Sequence, residues 1–183
     1  MAVMKFITKN APSCPFGGKY TDDRALQSVT QYICNLEKEP LIGGWAVDPN
    51  HAIYEMELLS RLYHKNSGIR LRHWTVDFLD SDLRRLEQCM GCDKVLAVYR
   101  LGYELTAYFA DRYQVVFSVH TDKALPHLHA MMNSVSYIDG SKYSGSKVEY
   151  YAYERYAKEV VRQYGFYIHM VTDHAADKYY HAH

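Results

Sequence analysis

The chain has 183 residues, 48% of them hydrophobic and 23% charged, the balance of one ordinary globular domain able to bury a core. Lys+Arg and Asp+Glu are equal at 21 each, so bulk charge names no partner. A nucleic-acid binder of this composition needs its basic residues segregated on one face.

No window approaches the roughly 18 apolar residues of a membrane span. The opening "MAVMKFITKNAPS" lacks the apolar stretch and cleavage site of a signal peptide. Four cysteines, Cys14, Cys34, Cys89 and Cys92, without such a signal suggest reduced thiols in cytoplasm. "CMGC" at 89–92 is a single C-x-x-C with no second pair, and reads as a helix-end turn before a zinc or redox motif.

In chain order, "AVMKFIT" reads as a short strand and "NAPSCPFGG" as an irregular connection. Thr21 or Asp22 caps a helix running to about Leu36, with Leu26, Val29, Ile33 and Leu36 at three- and four-residue intervals on one buried stripe. "EPLIGGWAVDPNH" is a loop or short edge strand, and helical spacing resumes from Ala52 to His64. In "IRLRHWTVDFLDS" strict alternation puts Trp74, Val76 and Phe78 on the buried face of a strand. Helical stretches follow at Ser81–Met90 and Val95–Arg112, then two strands, "YQVVFSVH" and "HLHAMMNSV". Ser146 and Glu149 form an S-x-x-E capping box that opens a helix carrying Tyr153, Tyr156, Val160 and Tyr164 inward and stopping near Gly165. "FYIHMVT" closes the chain's pattern as a last strand. The order β-α-α-β-α-β-β-α-β favours an α+β fold, a central antiparallel sheet of about five strands with helices packed on it. Residues 1–183 read as a single domain. Eighteen tyrosines stand out; they serve either packing or the stacking of nucleobases.

Side chains on a strand alternate faces, so His127, His129, Met131 and Asn133 share one face. His120 ends the preceding strand, with "TDKALP" between, and an antiparallel hairpin of this kind sets it beside the H-x-H pair. Three neutral imidazoles then converge on one divalent ion and leave positions open for water or substrate. Asp122 is close enough to orient one of them from outside. Imidazoles suit zinc, manganese, cobalt or nickel better than calcium, and magnesium fits with waters completing its shell. The loop "DGSKYSGSK" brings Lys142 and Lys147 to a helix N-terminus, where phosphate oxygens can be gripped.

"HTDKALPHLHAMMNSVSYIDGSKYSGSK" resembles the third motif of relaxases of the MobA/MobL type, mobilisation nucleases of plasmids and integrative elements. They belong to the endonucleases named for a His-hydrophobe-His motif, here His127-Leu128-His129. The pattern H-x-D-x-x-x-x-H-x-H followed by Asn-Ser is matched by His120, Asp122, His127, His129, Asn133 and Ser134. "LQSVTQYICNLEK" resembles the family's nucleophile motif and points to Tyr32, with Tyr20 as the rival. "LRHWTVDF" and "LGYELTAYFADRYQVVFSVH" resemble its second strand and the helix leading to the metal strand.

The resemblance implies metal-dependent nicking of one strand of DNA at an origin of transfer, leaving a 5′-phosphotyrosine on Tyr32. His120, His127 and His129 would hold the ion, manganese or magnesium in function, with zinc, nickel or cobalt also accommodated. Asp122 and His73 are both candidates for the base. Lys142, Lys147, Asn133 and His73 are candidate DNA contacts. Single-stranded DNA is the expected partner, with accessory DNA-processing and coupling proteins beside it. Two alternatives stay open: a catalytically idle accessory protein of the same fold, and a replication initiator or transposase of the same superfamily.

Overall fold

The computed structural model describes residues 1–7, 20, 23–35 and 41–172. Thr21, Asp22, Leu36, Cys14 and the 10–18 connection lie outside them. Six strands, β1 (Ala2–Ile7), β2 (Leu41–Trp45), β3 (Leu71–Asp77), β4 (Tyr113–His120), β5 (His127–Ser136) and β6 (Ile168–Thr172), make one sheet in the order β2-β4-β5-β3-β1-β6. The class is α+β, as the element pattern implies. The sheet differs from expectation in two respects: it has six strands rather than about five, and it is mixed, because β6 runs parallel to β1.

Both differences follow from which strands meet. Of the two readings open for "LIGGW", loop or short edge strand, the structure shows the edge strand: β2 pairs with β4 from Leu41↔Val119 to Trp45↔Val115. A Cβ on Gly43 would sit 2.4 Å from the Phe117 ring, so only glycine lets this edge strand close over that side chain. The direction of β6 follows from the pairing. Two antiparallel steps, β5 to β3 and β3 to β1, restore the original direction, and a long helical crossover can deliver a strand parallel to it.

Helices cover both faces. Helices α1 (Asp23–Ile33) and α2 (Ala52–Leu62) pack on one, and α3 (Asp80–Met90), α4 (Lys94–Thr106) and α5 (Lys147–Arg162) on the other. The α1 stripe of Leu26, Val29 and Ile33 is buried against Met56, Leu71, Val116 and Met131. Gly91, at φ 64°, closes α3 in the left-handed conformation, so "CMGC" is a helix-end turn. The C-terminal part of the 95–112 stretch is a 3-10 turn, Ala107–Phe109, rather than continued α-helix. Ser146 caps α5 through the capping box with Glu149.

The larger core, under α3 to α5, centres on Trp74, Phe117, Leu128 and Met132, all fully buried. Several tyrosines pack here as struts. The hydroxyls of Tyr153, Tyr156 and Tyr164 donate to Leu105 O (3.2 Å), Glu104 O (2.8 Å) and Glu104 Oε1 (2.5 Å), tying α5 and the turn after it to α4. Burying a ring while its hydroxyl reaches a carbonyl meets both demands of the side chain. No described helix is long and apolar enough to cross a membrane.

Candidate active site

The β4–β5 hairpin places His120 directly opposite His127, and Ser118 opposite His129. Alternation carries His120, His127 and His129 to the α1/α2 face, where all three are buried. Ring centroids are 4.4 Å apart for His120 and His129, 5.0 Å for His127 and His129, and 5.7 Å for His120 and His127. One nitrogen from each lies within 4.8 Å of the others, near enough for the three to converge on a single ion. A polar cluster this deep needs something to satisfy it. His127 Nδ1 and the Ser118 hydroxyl are buried without a hydrogen bond to any described residue, which fits a donor set arranged for a cation.

Charge state agrees. Burial, ahead of the neighbouring His73, His120, His127 and Lys123, holds His129 well below the ordinary imidazole range. Burial and then Lys123 lower His127 as well. Neutral imidazoles are the ligating form.

Each ring is oriented by a second contact. His120 Nε2 lies 3.1 Å from the carbonyl of Ile33, the last residue of α1. A carbonyl only accepts, so Nε2 carries the proton and Nδ1 keeps the lone pair. The Asp122 carboxylate stands 3.5 Å from His127 Nε2, with its own side chain 38% exposed, and leaves His127 Nδ1 facing inward. His129 Nδ1 lies 3.4 Å from His73 Nε2, and His73 Nδ1 lies 3.2 Å from the Tyr20 hydroxyl. Leaving the Nε2 lone pair of His129 to an ion requires His129 Nδ1–H to donate to His73, and His73 Nδ1–H to donate to the Tyr20 oxygen. His73 is buried, and desolvation followed by the nearby His120 pushes it down to about 3. The Tyr20–His73 contact was not foreseen from sequence; its only signal is that His73 falls on the face of β3 opposite Trp74.

Tyr32 completes the cluster. It is half-buried in the last turn of α1, and its ring lies 5.4 Å from His120 and 5.1 Å from His129, edge-on to both. The carbonyl that fixes His120 belongs to the next residue, so α1 positions the phenol and this imidazole together.

The sequence matches the relaxase family described as MobA/VirD2-like, nuclease domain, over residues 32–166. The chain belongs to this family. It is also 28% identical over 122 residues to "Protein rlx" of Staphylococcus aureus, a match that spans 67% of this chain and 36% of the relative. The chain thus covers about a third of that protein's length. No solved structure matches it. The nuclease-domain match includes Tyr32, Asp122 and the three histidines.

The other candidate residues of this relaxase nuclease domain are spread out. His73 joins the histidine face. Asn133 is buried beneath α2, its amide donating to Gln114 Oε1 (3.0 Å) and Met56 O (3.4 Å) and its oxygen accepting from Val135 N (3.0 Å). The Lys142 ammonium donates to the carbonyls of Ser67 and Ile69, which ties the loop to the segment before β3. Lys147 is exposed at the start of α5, on the opposite side of the sheet from the histidines.

Proposed function

We propose that this domain nicks one strand of DNA at an origin of transfer and stays joined to the 5′ end, mobilising a plasmid or integrative element. The observation that carries the reading is the phenol of Tyr32 packed edge-on against two of three converging imidazoles.

His120, His127 and His129 would hold a divalent ion, with manganese or magnesium the working choice. The chemistry such an ion supplies when bound is neutralisation of charge on a phosphate oxygen. Tyr32 supplies the nucleophile. Its oxygen forms a bond to phosphorus as the bond from phosphorus to the 3′ oxygen breaks, and the 3′ oxygen leaves as a hydroxyl. An ordinary phenol titrates near pH ~10, so a proton acceptor is needed at neutral pH. Asp122, exposed beside His127, is the candidate acceptor. His73 has both ring nitrogens engaged and acts as a positioning residue. The phosphodiester energy is kept in the tyrosyl linkage, so the strand can be rejoined without a nucleotide cofactor. Single-stranded DNA is the substrate, and accessory and coupling proteins are the partners such a reaction calls for.

The test is incubation of the protein with single-stranded oligonucleotides tiling the element's transfer origin, in Mn²⁺ or Mg²⁺, read on denaturing gels. A covalent adduct that disappears in Tyr32→Phe and with chelator is the expected result. An adduct that persists in Tyr32→Phe overturns the assignment and moves attention to Tyr20.

A further inference from the structure

On the sheet face away from the histidines, a groove of about 420 Å³ runs between α5 and the ends of β1, β3 and β6. Its size is that of an ordinary small-ligand site. Phe6, Tyr143, Tyr150 and Tyr151 line it, together with Arg72 and Lys147, and no Asp or Glu is among the lining residues. Two cations thus stand beside aromatic rings in the lining itself, with Glu149 and Glu154 next to it.

The rings are held open to a ligand. Tyr150 meets Phe6 at 64° and Tyr151 at 79°, so neither neighbour lies flat on it. Tyr151 is 54% exposed although it forms a wall of the groove. Arg72 is fixed in place, its guanidinium carbon 5.7 Å from the Tyr143 ring centroid and one N–H donating to Ser144 O at 3.0 Å. Its Nε is buried with no hydrogen bond to a described residue. Glu149, the nearby carboxylate on α5, accepts from Ser146 N at 2.8 Å within the capping box.

We infer that this groove binds a segment of single-stranded DNA outside the cutting site, with a base against Tyr150 and Tyr151 and a phosphate between Arg72 and Lys147. Aromatic faces recognise any base, cations recognise the backbone, and the two together are what sequence-tolerant strand binding requires. The connection to the cutting site is direct. Arg72 and His73 are consecutive on β3 and point to opposite faces, so one strand of the sheet serves both sites. The choice of DNA as occupant rests on the relaxase reading; the composition of the groove does not.

The test uses Tyr32→Phe protein in chelator, so that no cutting is involved. The probe is a labelled single-stranded oligodeoxynucleotide of about 15 nucleotides, within the reach of such grooves. Tyr151 and Lys147 are both exposed, so their alanine variants leave the fold intact. Tyr151→Ala is expected to weaken binding about fivefold or more. Lys147→Ala is expected to reduce the log–log salt slope by about 0.7. Crosslinking of iododeoxyuridine-substituted oligonucleotide is expected to map to the peptide holding Tyr150 and Tyr151. Unchanged affinity in both variants, or crosslinks confined to peptides of α1, β4 and β5, overturns the inference. Wild-type protein that forms no adduct while the oligonucleotide still crosslinks at Tyr151 would sink the nicking reading and leave the groove standing.

Discussion

The two faces of the sheet are built by the same strands and differ in chemistry, one almost wholly apolar and the other mixing Leu71, Val116 and Met131 with polar groups. Towards α3, α4 and α5, strands β3, β4 and β5 present Trp74 and Val76, Val115, Phe117 and Val119, and Leu128, Ala130 and Met132. Towards α1 and α2, alternate residues of those strands present His73, Ser118, His120, His127, His129 and Asn133. The first face is held mainly by apolar packing, with the Trp74 indole N–H buried within it and tyrosine hydroxyls bonding the helices above. The second buries polar groups whose desolvation must be offset, and offsets it through an Ile33 carbonyl, a Tyr20 hydroxyl and a set of nitrogens aimed at one point. Period-two alternation therefore lets a thin sheet keep stability and chemistry one residue apart.

The sharpest way to break this comparison is to remove one of the three candidate ligands. His129→Ala takes out the imidazole that contacts His120, His127, His73 and Tyr32. Ion affinity by calorimetry is expected to collapse, and adduct formation to fall about a hundredfold or more, since an ion contributes several kcal/mol at a phosphoryl centre. In chelator the melting temperature should change little. A variant that melts far lower while still binding the ion would mean that the histidine face is a structural core.

The converse change lies on the other face. Phe117 is fully buried between β2 and α4, with Tyr103 at 4.8 Å centroid distance. Phe117→Ala is expected to cost about 3–5 kcal/mol in denaturant unfolding. The folded fraction should bind the ion as wild type does. Loss of ion affinity in proportion to stability would show that the faces are coupled and not separate.

Much of this division was legible from sequence because it depends on local rules. Strand alternation and a six-residue hairpin loop suffice to bring His120 beside His127 and His129, and helical spacing suffices to aim Leu26, Val29 and Ile33 inward. What was not legible depends on distant partners. The glycines of β2 left loop and edge strand both open because Phe117, whose ring needs Gly43, lies 74 positions away. The Tyr20–His73 contact joins residues 53 apart, and the direction of β6 is set by which strand it meets. Lys142 and Asn133 carry the right chemistry for DNA, but only tertiary contacts reveal that carbonyls of Ser67 and Ile69 hold one, and Gln114 and Met56 the other.

A finer test concerns the support behind the ligands. His73→Phe keeps a ring of similar volume but removes the nitrogen that sits 3.4 Å from His129 Nδ1. Outer partners of metal-bound histidines are typically responsible for ten- to hundredfold of affinity, so ion binding should weaken by about that factor. Titration of Mn²⁺ at fixed pH reads it, with melting as the control for folding. Unchanged affinity would reduce His73 to a packing residue.

The smallest effect compares one atom on two faces. Tyr156→Phe deletes the hydroxyl that donates to Glu104 O at 2.8 Å, one of the ties between α5 and α4. Tyr156 is only half-buried, so the loss should sit towards the low end of about 0.5–1.5 kcal/mol, visible as a small shift of the urea midpoint. Ion affinity and adduct yield should not move. Removing the corresponding oxygen from Tyr32, whose ring lies against His120 and His129, is read in the adduct. On the proposed reading the phenol oxygen is a strut in Tyr156, where it meets a carbonyl, and would be the nucleophile in Tyr32, whose ring lies beside the histidines; the two substitutions separate those uses because the sheet stands between them.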